Sequence, residues 1–199
     1  MLFRSEVGDD TKQTPQTTYG VTKAACEMLV NDASRKGVVD GRTARLSTII
    51  VRPGAPNAAA STFASSLFRD PLDGKACVVP VRPETRMALI GVGSCIRNFV
   101  ALHDAEGRDL GDDRAVNLPA GTHAVADMMV TLERTARARD LPLGPVSVEV
   151  DPKIQEIVSG WPERIRADRA LALGLRGDDG LERILADHLA DRRAPAGVP

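Results

Sequence analysis

Tyr19 and Lys23 are the residues of this chain whose types and spacing could do chemistry. They are four residues apart at the start of an apolar segment, and on a helix residues i and i+4 lie on the same face. A phenol is a poor base at neutral pH, but a neighbouring ammonium favours its phenolate form. Such a tyrosine can take the hydroxyl proton of an alcohol while a nicotinamide ring accepts the hydride, and the lysine ammonium can hold ribose hydroxyls. We interpret the two residues as an acid/base pair for hydride transfer.

A helix and a strand must position this pair. Thr17 or Thr18 can cap a helix that ends near Gly37. Its predicted apolar face consists of Ala24, Ala25, Met28, Leu29 and Ala33. Residues 43–51 are rich in β-branched side chains and are stopped by Pro53-Gly54, which predicts a strand buried on both faces of a parallel sheet. This order of helix, short loop and apolar strand is one step of an α/β crossover.

The rest of the chain alternates short apolar stretches with helical periodicity. It predicts helices over 61–69, 92–105, 125–139, 152–159, 166–173 and 180–192, and strands over 77–81, 87–90, 115–118 and 146–150. Residues 1–16 have no periodicity, and we expect residues 194–199 to be a disordered tail.

The composition is that of an ordinary globular domain, with 43% hydrophobic and 27% charged residues in 199. A net charge of −1 and 3% aromatic residues argue against nucleic acid and anionic membranes as partners. No apolar run reaches the ~18 residues of a membrane span, and the N-terminus lacks a signal-peptide plan. We therefore expect a cytoplasmic protein whose cysteines, Cys26, Cys77 and Cys95, are buried and reduced.

Other chemistries have little support in the sequence. His103, His123 and His188 are far apart and have no second ligand at metal spacing, so no metal site is expected. The serines near 61–66 are not part of a G-x-S-x-G elbow, which argues against a hydrolase triad.

Residues 19–27 (YGVTKAACE) and 45–54 (RLSTIIVRPG) resemble the extended short-chain dehydrogenase/reductase family, also called the NAD-dependent epimerase/dehydratase family. Four further segments resemble the D-erythronate dehydrogenase branch of that family. They are residues 52–61 (RPGAPNAAAS), 116–121 (VNLPAG), 157–162 (IVSGWP) and 170–175 (ALALGL). The resemblance covers roughly residues 7–192, which is nearly the whole chain.

The resemblance implies an α/β fold, namely the C-terminal part of a Rossmann-type parallel sheet plus a small α/β substrate subdomain. Residues 1–60 would be a remnant of the NAD-binding domain, and residues 61–193 would mainly form the substrate-binding subdomain, with some returning α/β elements. The implied cofactor is NAD, and the implied substrate is a small hydroxy acid or sugar. The helix that bears Tyr19 would pack against its counterpart in a homodimer.

The resemblance also implies site residues. Tyr19 would be the general acid/base and Lys23 its ribose-binding partner. Pro53 and Gly54, at the carboxyl end of a strand, would lie near the nicotinamide, where open parallel sheets bind their ligands. Arg86 would pair with a substrate carboxylate through its planar fork, although a solvated turn arginine is an equal alternative. Related dehydrogenases carry a Trp-His pair after this arginine, where Met87-Ala88 stands here.

Two parts of the family pattern are missing. We find no glycine-rich turn between a strand and a helix, and roughly a hundred residues should precede the tyrosine in a complete cofactor domain. Ser5, the only serine before Tyr19, is a poor candidate for the family's catalytic serine. We therefore expect an N-terminally truncated dehydrogenase that is inactive alone. A nucleoside-diphosphate-sugar epimerase and a non-catalytic dimerising module remain as alternatives.

Overall fold

The computed structural model of the chain describes residues 5–51 and 59–193. Its helices are α1 Thr18–Arg35, α2 Thr62–Leu72, α3 Val92–Asp104, α4 Gly107–Leu110, α5 Val125–Ala138, α6 Pro152–Ser159, α7 Asp168–Ala172 and α8 Leu181–Arg193. Its strands are β1 Glu6–Val7, β2 Thr43–Arg45, β3 Thr48–Ile50, β4 Cys77–Val79, β5 Arg86–Gly91, β6 Ala115–Asn117, β7 Gly121–Ala124, β8 Val146–Val148 and β9 Arg164–Ile165. The predicted α/β class is confirmed.

The strands form small sheets in which parallel pairing dominates. β2 pairs with β6, β4 with β8 and β1 with β9, each in parallel. A three-stranded sheet has the order β3-β5-β7, in which β3 and β5 are parallel and β5 and β7 antiparallel. Parallel neighbours that are distant in sequence need crossover connections, and the helices between these strands supply them.

The single strand predicted over residues 43–51 is wrong. The segment is divided into β2 and β3, which have different partners, because the chain leaves β6 after Arg45 and joins β5 from Thr48 onward. β2 is half-buried rather than buried on both faces, and in the described part of the chain no strand pairs with its second edge. Val51, which follows β3, has a φ of 58°, a strained value for a β-branched residue.

Two groups of buried side chains hold these layers together. The larger joins α2, α5 and α8 to β4 and β5, and its fully buried members include Phe68, Leu132 and Leu185. The smaller joins β5, α3, β6 and α7, and it includes Ile90 and Val116. Burial of these apolar surfaces is the main favourable contribution to folding.

Most predicted elements are present, with shifted ends. Helix 152–159 is confirmed at both ends, while the helix expected over 166–173 is limited to α7. The helix predicted over 125–139 is confirmed as α5, and the unpredicted strand β7 lies directly before it, because residues 121–124 pair with β5. The irregular region 1–16 contains the short strand β1. No helix among residues 5–51 and 59–193 is long and apolar enough to cross a membrane.

Candidate active site

Helix α1 positions Tyr19 and Lys23 at its amino end. The Thr17 hydroxyl caps the helix by accepting a hydrogen bond from the Gly20 amide at 3.1 Å. Such a cap satisfies one of the amide groups that a helix start leaves without a partner. Tyr19 therefore lies in the first turn and Lys23 one turn further along the same face.

The two side chains meet as the i, i+4 spacing predicts. Lys23 Nζ is 5.4 Å from the centroid of the Tyr19 ring, within the range of a cation–π contact. Both residues line one open cavity of about 1110 Å³ between α1, the loop that precedes it and the β2 segment. The Tyr19 side chain is 73% exposed, so solvent or a ligand can reach it.

Neither polar group of the pair is engaged elsewhere. Among residues 5–51 and 59–193, the Tyr19 hydroxyl forms no hydrogen bond, and the Lys23 ammonium forms no hydrogen bond or ion pair. The hydroxyl could thus accept or donate a proton at a substrate oxygen, while three N–H donors of Lys23 face the same cavity.

The buried carboxylate of Glu27 lines the same cavity as Tyr19 and Lys23. Glu27, one turn beyond Lys23, is 8% exposed. It accepts a hydrogen bond from Arg45 Nε at 2.9 Å, a second from Arg45 Nη2 and a third from Gln13 Nε2 at 2.6 Å. The Glu27 carboxylate raises the pKa of the Arg45 guanidinium above its ordinary value, while partial burial opposes that shift. No local sequence pattern predicts this network, although Glu27, eight residues after Tyr19, lies on the same helix face.

The loop before α1 is fixed at two points. Gln13 binds Glu27, and the Asp9 carboxylate accepts hydrogen bonds from Asn117 Nδ2 at 3.1 Å and from the Arg169 amide at 3.0 Å. Asn117 is 5% exposed and also lines the cavity. The wall of the cavity opposite α1 is therefore held by side chains from the loop, β6 and α7.

The other predicted site residues are not brought to the pair. Pro53 and Gly54 lie outside the described residues. Ser5 uses its carbonyl to accept hydrogen bonds from the Glu163 and Arg164 amides, and it does not line the cavity. Arg86 is also absent from the lining, and its Nε lies 3.8 Å from Glu163 Oε2 in an exposed ion pair.

The outer face of α1 differs from the predicted core face. Met28 and Leu29 are 63% and 67% exposed, and the buried positions of the helix are Glu27 and Ser34. Cys26 is exposed as well, so the prediction that all three cysteines are buried is wrong for this residue. The reason is that α1 turns its polar residues toward β2 and the segment before it, where Arg45 binds Glu27 and the Gly41 amide donates to Ser34.

The residues of the cavity match the nicotinamide end of NAD more readily than its pyrophosphate. Lys23 and Tyr19 could hold the ribose and nicotinamide at the mouth of the cavity. The described junction at which a strand runs into a helix through glycine is that of β5 and α3, where Gly91 is followed by Gly93 two residues later. The Gly91 amide already donates a hydrogen bond to the Asp178 carboxylate at 2.8 Å, so this helix amino end has an anionic partner within the chain.

Comparison with known proteins finds an NAD-binding family model and two dehydrogenases to which the chain is similar. The family model described as "Male sterility protein", an NAD-binding family, matches residues 3–97. D-erythronate dehydrogenase of Cupriavidus necator is 42% identical over 185 residues, and that of Haemophilus influenzae is 41% identical over 177. These alignments cover 93% and 89% of this chain but 56% of each relative, so the chain spans about half the length of the curated relatives it matches.

A solved structure supports the fold. The nucleoside-diphosphate-sugar epimerase from Agrobacterium tumefaciens superposes with a TM-score of 0.87 at 32% identity. The superposition covers 96% of this chain and 55% of the epimerase. The two chains share the same α/β fold over the superposed residues.

Proposed function

Because the chain belongs to the extended short-chain dehydrogenase/reductase family, in its D-erythronate dehydrogenase-like branch, we propose that it is part of an NAD-dependent oxidoreductase. The proposed reaction is oxidation of a secondary alcohol of a small sugar acid such as D-erythronate. The observation that carries the proposal is the location of Tyr19 and Lys23 in one open cavity, with no other partner in the described part of the chain.

Tyr19 is the proposed acid/base. Its hydroxyl is exposed at the cavity mouth, so a substrate alcohol can approach within hydrogen-bond distance and transfer its proton to the phenolate oxygen. The Lys23 ammonium lies beside the ring, with its Nζ 5.4 Å from the ring centroid. NAD, the cofactor of the family, supplies the hydride acceptor when it is bound.

Lys23 has a second proposed role. Because its donors have no partner among residues 5–51 and 59–193, it can bind the ribose hydroxyls of the nicotinamide half of the cofactor while its charge remains near Tyr19. Pro53 and Gly54 stay candidates for contacts to the nicotinamide. Arg86 stays a candidate for binding the substrate carboxylate, but its ion pair with Glu163 would first have to open.

We further propose that residues 1–199 alone bind NAD poorly and turn over negligibly. The reason is chemical: among the residues with described positions, no free helix amino end with a glycine turn faces the Tyr19 cavity. Calorimetry that gave micromolar NAD affinity, together with dehydrogenase activity, would contradict this statement.

The direct test of the reaction uses the longest natural form of the gene product. With D-erythronate and NAD, absorbance at the NADH maximum should rise, and the product should be a keto acid. If a nucleotide sugar is instead converted to its stereoisomer without net NADH formation, the protein is an epimerase. The similarity to the Agrobacterium epimerase makes this the second candidate function.

The partner proposed for α1 is a second copy of the chain. The exposed Met28 and Leu29 form an apolar strip on its outer face, which suits an isologous helix–helix contact. If such a dimer forms and the Tyr19 hydroxyl proves dispensable, the chain is a dimerising module without catalysis.

A further inference from the structure

Arg45 and Glu27 have an arrangement that bears directly on Lys23. Glu27 is four residues after Lys23, and oppositely charged side chains at this spacing on a helix can pair, more weakly when the lysine comes first than when the acid does. Here they do not. The Glu27 carboxylate instead receives two hydrogen bonds from Arg45 of β2 and one from Gln13.

Arg45 and Lys23 compete for the Glu27 carboxylate, and the geometry favours Arg45. Its planar guanidinium presents Nε and Nη2 to both carboxylate oxygens, whereas an ammonium can offer only a point contact. Glu27 is 10% exposed at its side chain, so water screens the Arg45 contact poorly. Elsewhere on the same helix Lys36 does form an i, i+4 pair, with Asp32 at 2.7 Å. There Arg35 contacts Oδ1 and leaves Oδ2 to Lys36, whereas Arg45 contacts both oxygens of Glu27.

We propose that Arg45 is a positioning residue that keeps Glu27 away from Lys23, and thereby leaves the Lys23 ammonium directed at Tyr19 and the cavity. The importance of this for activity rests on the function proposed for Lys23. Removal of the guanidinium frees the Glu27 carboxylate, which then draws Lys23 toward the carboxyl end of α1.

The test measures the reactivity of individual lysines in residues 1–199. Trace labelling with acetic anhydride, read by peptide mass spectrometry, gives the rate at Lys23 relative to Lys36, whose pair with Asp32 is unaffected by the changes. In Arg45→Met this ratio should fall about twofold, the size expected for a helical ion pair. In the double variant Glu27→Gln/Arg45→Met, which removes the competing carboxylate, it should return to the wild-type value.

A merely structural role for Arg45 predicts a different result. General loosening of the fold would raise labelling at every lysine and would not be reversed by the second substitution. An Arg45→Met ratio equal to that of the wild type, or a double variant that stays low, would overturn the proposal. Should Arg45→Met fail to fold, Arg45→Lys is measured instead, because it keeps the charge but loses the fork, and a smaller decrease is expected.

A second readout separates this proposal from the proposed function. In the longest natural form, Arg45→Met should raise the KM for NAD about twofold, and the double variant should restore it. If the labelling ratios change as expected while the KM stays constant, the ion-pair competition is correct and the cofactor role of Lys23 is wrong.

Discussion

Individual cysteines differ sharply in their surroundings. Burial raises the pKa of the Cys77 thiol to about 11, with a smaller contribution from Asp70, and burial also raises the pKa of Cys95. Cys26, by contrast, is exposed on α1. Because the thiolate is the reactive form, one cysteine in three should react under native conditions.

Titration with a chromogenic disulfide at pH 8 checks this expectation. We expect one thiol per chain to react in native protein, none in Cys26→Ser, and three in wild-type protein under denaturing conditions. Rapid reaction of a native Cys26→Ser variant would show that the core around Cys77 or Cys95 opens readily.

His188 makes stability depend on pH. Burial lowers its pKa below the ordinary 6.5, with Arg192 adding to the effect, and its buried Nε2 has no hydrogen-bond partner in the described structure. The unfolded chain therefore takes up the proton at a higher pH than the folded chain does. The contribution of neutral His188 is complete above pH 6.5 and is lost as the pH falls toward the lower folded value.

Urea unfolding between pH 5 and 7.5 measures this dependence. In His188→Phe, which keeps a ring but cannot titrate, the decrease in the free energy of unfolding below pH 6.5 should be smaller than in the wild type. His123, whose pKa burial also lowers, should account for part of the remainder. An unchanged slope in His188→Phe would mean that the imidazole is hydrated in solution.

At the scale of elements, α1 carries the strongest expectation. Met28 and Leu29 face outward, and we propose that they form the contact with a second copy. Light scattering should give about twice the chain mass of 21.2 kDa for the wild type and the single mass for Met28→Glu/Leu29→Glu. Ile96→Glu, at a comparably exposed apolar position on α3, is the control and should remain dimeric. A wild type that is monomeric at high concentration would exclude this interface.

Elements that depend on local signals were predicted from the sequence, and elements that depend on distant partners were not. Periodicity and the Thr17 cap predicted α1, because these signals are local. The division of residues 43–51 into β2 and β3 was not predictable in this way, because partner strands distant in sequence decide it. The same holds for β7, whose strand conformation depends on pairing with β5.

In the candidate site, too, local contacts were predictable from the sequence and contacts between distant segments were not. The i, i+4 spacing was sufficient to bring Tyr19 and Lys23 together. The partners of Glu27 come from the loop and from β2, and no local pattern identifies Arg45 rather than Lys23 as its ion-pair partner. Chemistry confined to one helix can thus be read from the sequence, while the network that supports it requires the fold.

For the whole molecule, the family similarity and the length of the chain bear on catalysis in opposite directions. The chain is similar to an NAD-binding family over residues 3–97 and contains the proposed proton-transfer pair in an open cavity. It also spans 56% of the length of the D-erythronate dehydrogenases it matches. Catalysis by Tyr19 is therefore best tested in the longest natural form of the gene product.

The decisive measurement compares wild type and Tyr19→Phe in that form, with D-erythronate as substrate and NADH formation as the signal. Removal of one hydroxyl should lower kcat by at least about 100-fold, the ordinary contribution of a general acid/base, because the ring and the Lys23 contact remain. Calorimetric affinity for NAD should change by less than about threefold, since the ring is retained. A Tyr19→Phe enzyme that turns over at the wild-type rate would contradict the assignment of Tyr19 as the acid/base.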